Sequence, residues 1–204
     1  MIRSDRDGDS LILTIDRPEK AGALTHAMLA ELAGLAEDAR DAKLLILTGT
    51  GRVFSAGADL DAARAGLATD PVWERLSSAI AACHGLTIAA LNGTAAGGAL
   101  GMVLACDLRI AVVQAKIFYP VMRLGFLPQP SDVPRMVRLI GPARTGMILM
   151  AGQKVDAETA LCWGLIDRIV DDADLLQTAR ELGQDVRAAS AAHAATIKQM
   201  ITAA

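Results

Sequence analysis

The sequence has no cluster of five or more lysines and arginines, and its formal net charge is −3 at pH 7. Binding to a polyanion rests on concentrated positive charge, so nucleic acid and anionic membrane surfaces are not expected partners. No apolar run approaches the roughly 20 residues that cross a bilayer. The charged opening Met1-Ile2-Arg3-Ser4-Asp5-Arg6-Asp7 has no signal-like apolar stretch behind it. A cytoplasmic location is the expectation. Cysteine is scarce: Cys83, Cys106 and Cys162 are far apart and odd in number, which leaves neither a disulfide framework nor a zinc spacing. They are expected to be small apolar thiols of the core. His26, His84 and His193 are equally scattered, and there is no His-x-x-x-His pair and no Gly-x-Ser-x-Gly elbow. A metalloprotease or a serine hydrolase would therefore lack its parts. No linker, low-complexity stretch or strict repeat divides the chain.

What is present is enough for one domain over residues 1–204. Hydrophobic residues make up 52% of the chain, and a chain of this length buries roughly 70% of the surface its unfolded form exposes. Ser10–Asp16 alternates like a strand and is ended by Arg17-Pro18-Glu19-Lys20. Thr25 is placed to cap a helix running to about Asp41, with Met28, Leu29, Leu32 and Leu35 on one face. Lys43–Thr48 and Thr87–Asn92 are continuous apolar runs of the kind that form buried strands. Ala99–Ala105 reads as a short helix and Asp107–Val113 as a third strand. Beyond Ser131 the pattern turns helical: Pro142–Ala151, Asp156–Trp163 and most of Asp174–Thr202, interrupted by a brief strand at Leu165–Val170. Strands alternating with helices predict an α/β architecture.

Two glycine-rich segments follow buried strands. Phe54-Ser55-Ala56-Gly57-Ala58-Asp59-Leu60 lets the backbone bend sharply and approach another molecule closely. Asn92-Gly93-Thr94-Ala95-Ala96-Gly97-Gly98-Ala99-Leu100-Gly101 leads into a helix whose free N–H groups could hold a developing negative charge. Taken singly, each segment could equally serve tight packing or a dinucleotide. The dinucleotide spacing fits poorly, because Phe54 stands at the third glycine position of Gly49-Thr50-Gly51-Arg52-Val53-Phe54.

Together, and in this order, the two segments resemble the signatures of the crotonase superfamily, the enoyl-CoA hydratase/isomerase group. Ala105-Cys106-Asp107-Leu108-Arg109-Ile110-Ala111 is similar to that family's "CD-RIA" strand, and Leu124-Gly125-Phe126-Leu127-Pro128 to its "LG-xP" turn. Gly152–Val170 also matches a family stretch, so the likeness runs from about Ser10 to Lys198. The resemblance implies a spiral of ββα units over 1–130 and a mainly helical part over 131–204. It also implies an acyl-CoA thioester as substrate, with coenzyme A entering as part of it and no permanently bound cofactor or metal. Matched residue by residue, the N–H donors that grip the thioester oxygen fall at Ala58 and Gly98, and the coenzyme A contacts at Ser55 and Ala56. A homo-oligomer, a trimer or dimer of trimers, is implied as well. Typical members continue for several dozen residues past the point matching Lys198, in helices that cover the acyl pocket and join subunits. A more open pocket, a different oligomer, or a truncated and degenerate site is the corresponding expectation.

The chain departs from the family where hydratases carry two glutamates: those positions hold Gly101 and Val121. General acid–base catalysis contributes about 10²–10⁴ per group, so hydration by the two-glutamate route is not expected. A position where some isomerases carry glutamate holds Gln129, whose amide takes up no proton. Asp132 is the nearest carboxylate and the candidate proton carrier; it also fits the cap of a helix starting near Val133. Asp61 and Arg64 could reach the acyl pocket or a phosphate, or form a solvated helix face. Gly22 stands where the family's N-terminal loop usually has asparagine, which removes a loop-fixing side chain. Three readings follow: an acyl-CoA enzyme with a non-standard proton carrier, a catalytically silent acyl-CoA-binding protein or scaffold of the same fold, and an unrelated dinucleotide-binding domain.

Overall fold

Three times in succession the chain lays down a buried strand, a much shorter strand and then helix. The computed structural model describes residues 1–203. It opens with an antiparallel hairpin, β1 (Ile2–Asp7) and β2 (Ser10–Ile15), followed by α1 (His26–Asp38). The first unit is β3 (Leu44–Gly49), β4 (Val53–Ser55), α2 (Leu60–Arg64) and α3 (Val72–Ala81). The second is β5 (Leu86–Leu91), β6 (Thr94–Ala96) and α4 (Ala99–Ala105). The third is β7 (Leu108–Val112), β8 (Lys116–Phe118), α5 (Val121–Leu124) and α6 (Asp132–Leu149). After them come β9 (Val155–Asp156), α7 (Ala157–Trp163), β10 (Arg168–Val170), α8 (Leu175–Leu182), α9 (Gln184–Ala188) and α10 (Ala191–Thr202).

The long strands form one six-stranded sheet, ordered β1-β2-β3-β5-β7-β10, and the short ones a four-stranded sheet, ordered β4-β6-β8-β9. From β2 to β10 the large sheet is parallel. Its central strands are almost wholly buried, which accounts for the apolar runs of β3 and β5; β7 also carries the buried Arg109. Edge strand β1 is exposed after Ile2, and its charges protect an otherwise open edge. Helix α1 packs on α3, α3 on α4 and α4 on α6, while α8 lies against β5 and β7. The C-terminal stretch is mainly helical with the expected strand, β10, joining the large sheet, while β9 adds an unexpected strand to the small one.

Several details differ from the sequence reading. Helix α6 starts at Asp132, near the expected Val133, and runs on into the expected Pro142 helix with a break at Gly141 (φ 76, ψ 167), so that Pro142 opens its second half. Helix α3 was not expected, although Trp73, Leu76 and Ile80 are spaced for one face and are buried. Cys83 and Cys106 are buried as expected, but Cys162 is exposed. No helix among the described residues is long and apolar enough to cross a membrane.

The "CD-RIA" strand is a structural fastening. Asp107 Oδ2 accepts hydrogen bonds from Thr87 N (2.8 Å), Thr87 Oγ1 (2.9 Å) and Lys198 Nζ (2.8 Å), which joins β5, β7 and α10. Arg109 is buried and donates to Cys106 O at 2.7 Å and to Asp167 Oδ2 at 3.1 Å. Hydrogen bonds to a charged group are worth about 1.5–3 kcal/mol. Asp107→Ala is therefore expected to lower stability by about 2 kcal/mol, read as a lower urea midpoint at unchanged slope. Asp107→Asn, which keeps an acceptor, should lose less; equal losses would mean that the carboxylate charge and its lysine partner carry the whole fastening.

Candidate active site

The short strands β4, β6 and β8 are parallel neighbours, so their C-terminal ends lie side by side. Each runs straight into a loop bordering one cavity. After β4, the Ser55 side chain is fully buried: its hydroxyl donates to Gly22 O (2.8 Å) and accepts from Gly57 N (3.1 Å). Gly22 has φ +65, and a β-carbon there would come 2.6 Å from Phe54 O. An asparagine side chain has no room at that point, and Ser55 ties the loop instead. Next, Leu24 grips the segment from one side, donating to Gly57 O and accepting from Asp59 N, both at 2.8 Å. Extended backbone alternates its N–H directions, so the Ala58 N–H faces the other way and meets no acceptor among the described residues. Arg17 completes the clamp with bonds of 2.9 Å to Ala23 O and to Asp59 Oδ2. Its guanidinium holds the Asp59 carboxyl below the usual range, and the other oxygen of Asp59 caps α2.

The second loop is set by Asn92, whose Oδ1 accepts from Gly49 N and whose Nδ2 donates to Gly51 O, both at 3.0 Å. After β6, Gly97 takes φ +59 and donates to Phe118 O at 3.1 Å. Gly98 caps α4, and its N–H also lacks an acceptor among the described residues. A β-carbon on Gly98 would meet the Trp73 ring at 3.2 Å; one on Gly57 would meet Ala96 O at 2.8 Å and Gly98 N at 3.4 Å. The two loops thus touch backbone to backbone.

Ala58 and Gly98 border a cavity of about 150 Å³, together with Trp73, Phe118, Tyr119, Val121 and Gln129. Larger hollows exist, about 670 Å³ near Gly8 and Arg180 and about 530 Å³ beside α10, but neither is bordered by the two unpaired N–H groups. No Asp, Glu, His, Lys, Arg or Cys lines the smaller cavity. Ala56 is exposed at its edge, whereas the Ser55 hydroxyl is fully committed to the loop. Asp61 and Arg64 are exposed and pair with each other at 3.2 Å, forming the solvated face rather than part of the site. Val121 borders the cavity; Gly101 does not.

Asp132 is not a helix cap. It is completely buried, and its Oδ2 accepts a 2.9 Å hydrogen bond from the Tyr119 hydroxyl. Its Oδ1 has no partner among the described residues and lies 3.0 Å from where a β-carbon on Gly101 would sit. Burial pushes the carboxyl up to about 6, against the Tyr119 bond and the charge of Arg135, with Glu74 adding to the rise. Asp132 does not border the cavity, but Tyr119 does. Tyr119 was missed in the sequence; its one visible signal was a lone tyrosine, the only one in the chain, at the end of an apolar strand.

The model of the enoyl-CoA hydratase/isomerase family matches residues 8–204 of this chain. Carnitinyl-CoA dehydratase of Citrobacter koseri is 35% identical over 97% of the chain and 78% of its own length. The enzyme of the same name from Escherichia coli K12 is 36% identical over 89% and 72%. Among solved structures, Pseudomonas aeruginosa DspI superposes with a TM-score of 0.90 at 33% identity, covering 99% of this chain and 86% of that one. An enoyl-CoA hydratase from Bacillus anthracis gives 0.88 at 27%, covering 98% and 82%.

The Asp132 geometry sets a pH dependence of stability. A carboxyl near 6 when folded and about 3.9 when unfolded makes the folded state hold the extra proton between those values. Stability then falls as pH rises through that window, and the loss is complete above it. Asp132→Asn, isosteric and uncharged, should therefore stabilise the chain at pH 8 by up to about 3 kcal/mol. At pH 4 the gain should nearly vanish. Thermal unfolding at the two pH values checks this, and an equal shift at both would refute the raised carboxyl.

Proposed function

The chain belongs to the enoyl-CoA hydratase/isomerase family, and from that premise we propose that it acts on a coenzyme A thioester by holding an enolate-like anion at the N–H groups of Ala58 and Gly98. The observation that carries this reading is a pair of unpaired backbone donors, from two touching loops, at one apolar cavity. Such donors bind the thioester oxygen more tightly as negative charge develops on it, and only that difference accelerates a reaction. Each donor is worth on the order of 10²–10³ in rate. The apolar lining strengthens the effect by excluding competing water. Coenzyme A would rest against the backbone at Ser55 and Ala56, the latter exposed at the cavity edge.

The names of the curated relatives support gain or loss of water beside the thioester as the reaction type. Gly101 and Val121 supply no proton carrier, so Asp132 takes that part in the proposal. A homo-oligomer, a trimer by family likeness, belongs to the same reading. A second reading, a silent acyl-CoA-binding protein, is favoured by one observation: no ionised side chain lines the cavity.

Calorimetric titration with butyryl-CoA, alongside turnover of crotonyl-CoA followed by loss of the enoyl absorbance, separates these readings. The expectation is binding together with a lowered thioester C=O stretching frequency in the infrared. Gly98→Ala, which drives a methyl group into Trp73, should weaken binding about tenfold, roughly 1.4 kcal/mol. Binding with neither turnover nor a carbonyl shift would favour the silent protein. Absence of binding would sink the assignment of Ala58 and Gly98.

A further inference from the structure

Of the residues bordering the cavity, Tyr119 alone carries an O–H group. The Trp73 N–H is already committed to Leu67 O at 2.8 Å, and the Gln129 amide takes up no proton. The Tyr119 side chain begins at the end of β8, where the cavity lies, and ends at Asp132 on α6. That carboxylate fills the space that the missing side chain at Gly101 leaves open, and it has no exposure to solvent. Tyr119 is thus the residue that both borders the cavity and contacts Asp132.

We propose that Tyr119 is a catalytic residue, the cavity-side end of a two-residue acid–base unit whose inner end is Asp132. This rests on the thioester reading above and adds the group that meets the substrate. In the forward step, the electron pair of the acyl α-C–H bond moves into the bond to the carbonyl carbon, leaving an enolate oxygen at Ala58 and Gly98. The released proton bonds to Tyr119 Oη as the original Oη–H bond breaks and that proton goes to Asp132 Oδ2. The reverse sequence returns a proton to the acyl carbon. Negative charge moves from carboxylate to enolate, and no oxidant or further reactant takes part.

The surroundings suit a coupled transfer. Burial and the neighbouring carboxylate push the Tyr119 hydroxyl well above its ordinary range, so a free tyrosinate would be costly and the two protons move together. The charged groups acting on Asp132 are Arg135 on its own helix and Glu74 on α3. Arg135 favours the carboxylate and Glu74 opposes it.

The test is hydrogen–deuterium exchange at the α-carbon of butyryl-CoA in D₂O, followed by NMR, with calorimetric binding of butyryl-CoA measured on the same proteins. The parent chain should exchange, with a rate that rises as Asp132 loses its proton and then levels. Tyr119→Phe and Asp132→Asn should each bind the thioester but exchange about 10²-fold or more slowly. The double variant should be no slower than the slower single one, as expected of groups acting as a unit. Because Tyr119 is the only tyrosine, growth on 3-fluorotyrosine alters this one hydroxyl and no other. A changed exchange rate and pH profile in that protein is expected, and a merely structural tyrosine would leave both unmoved. Parent-like exchange in Tyr119→Phe, or in the fluorinated protein, would overturn the proposal. Binding without exchange in the parent would overturn it while leaving thioester binding at Ala58 and Gly98 intact. Failure to bind would remove the thioester reading and the proton relay with it.

Discussion

The backbones of Gly57 and Gly98 approach so closely that a β-carbon on the first would sit 3.4 Å from the nitrogen of the second, and the rest of the site is arranged to hold that contact. Neither loop could keep its shape alone. Ser55 and Arg17 tie the first loop to the segment after β2, Leu24 grips it on both sides of Ala58, and Asn92 ties the turn before it to the start of the second. Gly97 is bonded to the end of β8, which brings in the third loop. Every one of these bonds uses a group other than the Ala58 and Gly98 N–H. Ala58 and Gly98 are half-buried at the cavity, and both N–H groups stay available for a ligand.

The same economy governs the acid group. Position 101 on α4 has no side chain, and the space it vacates is filled by Asp132 from α6. Changing the helix that carries the carboxylate moves it away from the cavity and behind the Tyr119 ring. The tyrosine then becomes the link between a dry carboxyl and the apolar chamber. Trp73 shows the same reciprocity, because its ring packs where a side chain at Gly98 would otherwise stand. Small residues here are one half of a contact whose other half is large.

Most of the large sheet was legible in the sequence because buried parallel strands need apolar runs, as in β3 and β5; the charged edge strand β1 was not. The second sheet was not, since three residues are too few for a period to show. Yet β4, β6 and β8 are what align the three loops. Ala58 and Gly98 could be located through the order and spacing of two glycine-rich segments. The committed hydroxyl of Ser55 could not, because its partner Gly22 lies 33 residues away. Asp132 was legible as a carboxylate near the right turn, but a helix start gives the same signal whether the side chain caps the helix or turns inward. Only the position of Tyr119, 13 residues earlier, decides between them.

The position of Asp132 also bears on whether the chain is active or silent. A fully buried carboxyl with one unpaired oxygen is poor packing. Its raised ionisation, about 6 in place of 3.8, corresponds to about 3 kcal/mol of lost stability above that pH. An amide or an apolar side chain would fill the same volume without that loss, and binding a thioester needs no proton carrier. Proteins keep such unfavourable groups where chemistry uses them. A carboxyl held near neutrality and hydrogen-bonded to a residue that borders the cavity has the ionisation that general acid–base catalysis requires. The lining taken alone favours a silent protein, but the layer directly behind it favours an enzyme, and a group retained at a loss in stability carries more weight than an apolar lining that either protein would need.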